Sequence, residues 1–217
     1  MARIAIASAA HKASTGTITA THAASRGHDI RFIPDIEDTA TLVPALHGAD
    51  ALILVPKRGD ARRHTEHATH LLLREATRAP HPPQIVLLSS FAVGHGPAHP
   101  LNRTSTTLLP SRIAAEQALR TGGLPYTIVR PTWMTDDPPA SHALTLTQHP
   151  HTDGMVARAD IAATMVAAVE QPTARGTTFA LYNEPGEPLT DWAAAFAGLH
   201  HDPATATPAP RPAKEPA

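Results

Sequence analysis

Four side chains in this sequence have a type and a position that could do chemistry. Ser90 closes a run of apolar residues, so its hydroxyl stands where a strand ends. His95 lies in a glycine-flanked loop and titrates near neutrality, so it can give or take a proton. Arg112, in SRIAAEQALR, can hold a carboxylate or an enolate, or it can pair with Glu116 one helical turn on. Trp133 follows an Arg-Pro turn and is either a core aromatic or the wall of a site. Ser8, Lys12, Ser14 and Thr15 add three hydroxyls and a cation beside a predicted helix start, a setting that suits an anion.

These groups need a scaffold, and the hydrophobic pattern supplies one. Continuous apolar runs predict buried strands at 4–7, 51–55 and 85–89, with further strands at 29–33, 126–130 and 177–182. Helical patterns fall between them at 15–26, 39–47, 64–78, 111–121, 159–170 and 189–199. Gly27 stops the first helix, Pro44 interrupts the second, and Gly122 and Gly123 stop the fourth. The stretch 94–101 reads as a loop on the site's side, and 136–154, rich in proline, as a loop or lid. Strands alternating with helices predict one α/β domain over 1–199, a doubly wound parallel sheet covered on both faces. Residues 200–217 are Pro/Ala-rich and predict a flexible tail.

Composition narrows the chemistry. With 217 residues and 42% hydrophobic, the chain has a core for one domain. Its net charge of -1 offers no general attraction for nucleic acid or anionic membrane, and neither is expected as a partner. There is no cysteine, so disulfides, thiolate zinc sites and cysteine nucleophiles are excluded. His64, His67 and His70 share one helix face, which reads as a solvated face; no metal is predicted. No signal-type leader or run of about 20 apolar residues is apparent, so a cytoplasmic location is expected. The partner expected is a small-molecule substrate.

The stretch RIAIASAAHKASTGTITATHAASRGH is a strand, a tight turn and a helix, the order that opens a dinucleotide-binding βαβ unit. Three further blocks, IVLLSS, SRIAAEQALRTGGLPYTIVRP and ARADIAATMVAAVE, resemble the atypical short-chain dehydrogenase/reductase superfamily, in its NmrA-like NAD(P)H-binding branch. The resemblance covers roughly residues 3–185. It implies a Rossmann-like fold with strand order 3-2-1-4-5-6 and a site between the first and fourth strands.

The same resemblance exposes three departures. Counted back from RGH, the family's G-x-x-G-x-x-G turn falls on Ala10, Ala13 and Gly16, in a loop about two residues longer than usual. The family's Tyr-x-x-x-Lys falls on Leu108 and Arg112, so a tyrosine-based proton relay is absent. Asp35 sits where an acid would hold an adenosine ribose, and no arginine follows the second strand directly, which favours NAD over NADP if either binds. Cofactor contacts would come from Ala10, Lys12, Ala13, Ser14, Thr15, Gly16 and Asp35. Ser90 or His95 would polarise a substrate oxygen, Arg112 would stabilise negative charge, and Trp133 would face the nicotinamide or substrate.

Three functions stay open on this reading. The first is an NAD(P)-dependent reductase of a small organic substrate, with specialised metabolism as a setting. The second is a cofactor-independent isomerase, cyclase or dehydratase that reuses the cleft. The third is a non-catalytic nucleotide-sensing or binding module.

Overall fold

The computed structural model describes residues 1–11, 14–57, 59–96 and 98–203. The first strand, β1 (Arg3–Ala7), alternates its side chains between two cores. Ile4 and Ile6 face one way, with Ala23, Met165, Val166 and Phe196; Ala5 and Ala7 face the other, with Leu42, Leu72, Ala115 and Leu119. Burial on both faces is why this strand reads as unbroken apolar sequence.

Strands β2 (Asp29–Ile33), β3 (Ala51–Leu54), β4 (Gln84–Leu88) and β5 (Tyr126–Pro131) run parallel to β1, as does β9 (Thr177–Glu184). Helices α1 (Thr15–Ser25), α7 (Arg158–Glu170) and α8 (Trp192–Ala197) cover one face. Helices α2 (Thr39–Leu46), α3 (Ala68–Thr77) and α6 (Leu108–Thr121) cover the other. Between β4 and α6, α4 (Ala92–His95) and α5 (Leu101–Thr104) are single turns, placed where the sequence reads as loop.

The strand order corrects the expectation. The sheet runs β2-β1-β3-β4-β5-β9 and ends on a strand at Ala143–Thr147, so the third strand lies beside β1, on the far side from β2. The chain between β2 and β3 holds the short helix α2 and no strand, so nothing extends the sheet beyond β2. The order therefore reverses between β1 and β3, and the switch-point rule moves the ligand crevice there.

The last strand of that order, β7 (Ala143–Thr147), pairs antiparallel with β9 inside the stretch predicted as a lid. Its residues ALTLT alternate Leu144 and Leu146 toward the core with Thr145 and Thr147 away from it. Nearby prolines and the shortness of the run conceal that period of two. Strands β6 (Trp133–Thr135) and β8 (Met155–Ala157) form a separate parallel ribbon.

Helix α1 ends as its sequence predicts, with Gly27 at φ 83 directly after the cap residue Arg26. The 64–78 helix is composite: a π-helical turn, Arg62–His67, precedes α3. Past α8, His200 donates its N–H to Gln148 and Asp202 accepts from Thr178, so contact with the sheet continues to Asp202. Residues 204–217, most of the predicted tail, lie outside the described residues.

Candidate functional site

A cleft of 660 Å³ opens at the carboxyl ends of β1, β3 and β4. Its floor is Ser8, Val55 and Leu88, the residues that end or directly follow those strands. The N-terminus of α1, at Ser14 and Thr15, forms one wall, and Leu108 and Arg112 of α6 form another. A smaller pocket of 160 Å³ lies beside it, lined by Asp35, Ile36, Glu37, Arg63 and His64. The two spaces share Ser8, Val55, Pro56 and Lys57, so they make one bipartite crevice.

Why α1 begins here is local chemistry. Ser14 takes an extended conformation and its Oγ accepts the Thr17 N–H at 3.1 Å, an N-cap. The same hydroxyl donates to Ala9 O at 2.8 Å, so it holds the loop closed rather than standing free. The remaining N–H groups of the first turn and the helix dipole make the wall beside Thr15 electropositive.

The turn itself corrects the alignment made by counting. A Cβ on Gly16 would lie 2.1 Å from Ser8 Oγ, so Gly16 packs directly against Ser8. The residue facing the turn's last glycine is thus Ser8, immediately after β1. Ala10 is exposed and does not line the crevice. The two extra loop residues account for the shift. Lys12 and Ala13 lie outside the described residues.

Arg112 reaches into the cleft without a carboxylate partner among the described residues. Its Nη1 donates to Leu88 O, and its buried Nε has no partner. Burial pushes its pKa down to about 10, with Glu116 opposing the shift. The predicted pairing with Glu116 does not form. Glu116 is fully buried and receives Ser89 Oγ at 2.6 Å, Arg120 Nη2 at 3.0 Å and Arg130 Nη2 at 2.6 Å. That network also engages the Ser89 hydroxyl. Leu108, one turn before Arg112, faces the same cleft, so the positions matching the family's tyrosine and lysine do line the site.

The structure separates the other catalytic candidates from this cleft. Ser90 accepts the Ala92 N–H at 3.3 Å and is not among the cleft's lining residues. His95 Nε2 bonds Thr152 O at 2.8 Å, and its ring packs against Phe91, His99 and His151. Trp133 turns away toward Phe91 and His99, because alternation along β6 sends Met134 to the cleft instead. His11 and Thr65 also line the cleft, and neither is singled out by its place in the sequence. Thr65 arrives there on the π-helical turn, a feature without a clear sequence signature. Arg158, also at the cleft, is paired with Asp136.

Asp35 lies in the smaller pocket, its Oδ1 accepting the Glu37 N–H at 3.1 Å. Glu37 holds Arg63 along one guanidinium edge, Nε to Oε1 at 2.8 Å and Nη2 to Oε2. The π-helical turn places Arg63 here, far in sequence from the strand whose end it serves. Among the described residues no cluster of His, Cys, Asp and Glu is arranged to hold a metal ion. No helix among them is long and apolar enough to cross a membrane.

The family model for NAD(P)H-binding proteins matches residues 20–172. The chain belongs to the NAD(P)H-binding family. An uncharacterised chloroplastic protein of Arabidopsis thaliana is 30% identical over 200 residues, which cover 78% of this chain and 61% of that one. Sanguinarine reductase of Eschscholzia californica is 28% identical, over 78% of this chain and 79% of its own length. Among solved structures, a Bacillus halodurans protein described as an NAD-dependent epimerase/dehydratase superposes with TM-score 0.71 at 16% identity, covering 89% of this chain and 98% of that one. ChuY, an anaerobillin reductase of Escherichia coli O157:H7, superposes with TM-score 0.66 at 20% identity, covering 86% and 100%. This NAD(P)H-binding protein is therefore a Rossmann-like α/β domain of the atypical short-chain dehydrogenase/reductase type.

The residues present fit such a cofactor. The crevice has two compartments, and a helix N-terminus faces the larger one. Thr15 and the first turn of α1 would hold the phosphates, and Asp35 the adenosine ribose.

Proposed function

We propose that this chain is a reductase of a small organic substrate that uses NADH in preference to NADPH. The observation that carries the reading is Arg112, a desolvated guanidinium with an unpartnered Nε in a switch-point cleft. The chemistry a reduced nicotinamide would supply when bound is a hydride for a carbonyl or conjugated carbon of the substrate. Arg112, on the wall of the same cleft, would stabilise the negative charge that develops on the substrate oxygen. His11, the histidine on the cleft wall, replaces His95 and Ser90 as the candidate proton donor. Leu108 keeps that wall apolar, which strengthens the field of Arg112. The names of two similar proteins, sanguinarine reductase and anaerobillin reductase, support the reaction class.

NADH preference rests on the smaller pocket. Asp35 and Glu37 bring two carboxylates to the end of β2, and Glu37 pairs with Arg63 along its Nε/Nη2 edge. A ribose 2′-hydroxyl suits that arrangement, whereas a 2′-phosphate would face two anions and an arginine already engaged.

A second reading, a cofactor-independent isomerase, cyclase or dehydratase in the same cleft, draws on the Ser8–Gly16 contact. A side chain stands there where a glycine would admit a pyrophosphate closely. Calorimetric titration with NADH and NADPH separates the two readings. Micromolar binding, tighter for NADH, supports the reductase. No binding at millimolar nucleotide leaves the cofactor-independent enzyme.

A further inference from the structure

The ribbon of β6 and β8 carries an exposed apolar face that the cofactor crevice does not use. Trp133 and Met155 are register partners across it, 39% and 54% exposed. The indole is held from behind: Phe91 meets it edge-on at 5.4 Å and His99 lies nearly parallel at 6.1 Å. His95 extends the ring cluster to His151. Burial holds His99 below the usual histidine pKa, with His95 adding to the effect and Asp153 opposing it. The ring behind the indole is thus neutral at neutral pH. Met134, next in the chain after Trp133, lines the 660 Å³ cleft, so platform and cleft occupy two sides of one short strand.

We propose that Trp133 and Met155 form a stacking platform for a small flat, conjugated ring ligand, a second site apart from the cofactor crevice. The platform goes beyond the reductase reading above and does not depend on it. A fixed indole backed by rings presents a broad π face without further ordering cost, and a thioether beside it is polarisable and adapts to ring edges. The two side chains, even with Met134 at 37% exposure, leave an apolar face of a few hundred Å² at most, against roughly 800 Å² per partner in a stable protein interface. The face fits a small flat ligand and is too small for a second copy of the chain.

The test uses the full chain without nucleotide, so its failure is distinct from failure of nucleotide binding. Trp192→Phe leaves Trp133 as the sole tryptophan reporter. The probes are 9,10-phenanthrenequinone, which is flat, and camphorquinone, a compact non-planar diketone. Phenanthrenequinone quenches Trp133 saturably in the micromolar range, and camphorquinone binds at least tenfold more weakly. Trp133→Leu weakens phenanthrenequinone at least tenfold by calorimetry, and Met155→Ser, at a position 54% exposed, weakens it several-fold. Absence of phenanthrenequinone binding, equal affinity for both diketones, or unchanged affinity in both variants overturns the platform. So does a dimer in sedimentation that Met155→Ser dissolves.

Discussion

Arg112 and Glu116 stand one turn apart on α6 and do not pair. Glu116 is taken by Arg120 and Arg130, and Arg112 points into the cleft with its Nε unpartnered. The helix thus carries a satisfied buried ion network at one turn and, one turn earlier, a cation with no carboxylate partner among the described residues. The first kind of arrangement holds a fold together, and the second awaits an anion. Removing the cation separates function from stability. Arg112→Met keeps much of the length of the side chain while deleting the charge. It lowers the rate of NADH-dependent reduction at least tenfold with NADH affinity little changed, and leaves urea-unfolding stability unchanged or raised by about 1 kcal/mol, because an unpaired buried charge is relieved. A large loss of stability would show that Arg112 belongs to the structural network.

The opposite holds at Glu116. Glu116→Gln leaves two arginines without their shared carboxylate and the Ser89 hydroxyl without its charged acceptor. Equilibrium unfolding registers a loss of about 3 kcal/mol, within the range for breaking a buried charge network.

Much of this architecture is legible in the sequence, and the exceptions have identifiable causes. The central strands are visible because burial on both faces makes them continuously apolar, as in the ALIL run of Ala51–Leu54. Strand order is less legible, since it depends on whether 34–50 holds a strand. Asp35, Ser14, Thr15 and Arg112 reach the crevice because they sit at strand ends or helix starts, positions a βαβ repeat fixes. Trp133 does not, because β6 is three residues long and nothing in so short a run states which face looks inward. Arg63 is hidden for a different reason, a π-helical turn that shifts the side chains from the faces an α-helix assigns.

Arg63 gives the third prediction. Glu37→Gln releases a guanidinium beside Asp35 in the pocket proposed for the adenosine ribose. Affinity for 2′,5′-ADP rises about tenfold relative to 5′-AMP, the worth of roughly one charge-assisted contact. An unchanged ratio, measured by calorimetry, removes Glu37 from cofactor selection.

The Ser8–Gly16 contact is tested by exchanging bulk across it. Gly16→Ala puts a methyl into the space of the Ser8 side chain, which destabilises by about 1–3 kcal/mol. Ser8→Gly removes the obstruction, so the double variant recovers most of that loss. A double-mutant cycle with no coupling would mean that the turn relaxes around the added methyl by another route.

Acid stability follows from two part-buried histidines. His22 is held below its ordinary pKa of 6.5 by burial and by Arg26, against Glu170; His99 is held below it by burial and His95. In the unfolded chain both bind protons at about 6.5, so between that pH and their lower folded values the unfolded state carries more protons. Their contribution to stability is therefore complete above pH 6.5 and is lost as pH falls through the folded pKa values. Glu170 adds a second loss at more acid pH: burial works against its ionised form, but Arg26 and His28 outweigh this and hold its pKa below 4.5. Thermal unfolding scans show Tm level from pH 8 to 7 and falling by a few degrees toward pH 5 (about 2–4 °C per kcal/mol at this chain length). His22→Asn and His99→Asn together flatten the decline between pH 6.5 and 5 without altering the later loss at Glu170. A double variant with the same slope would place the acid sensitivity elsewhere among the histidines.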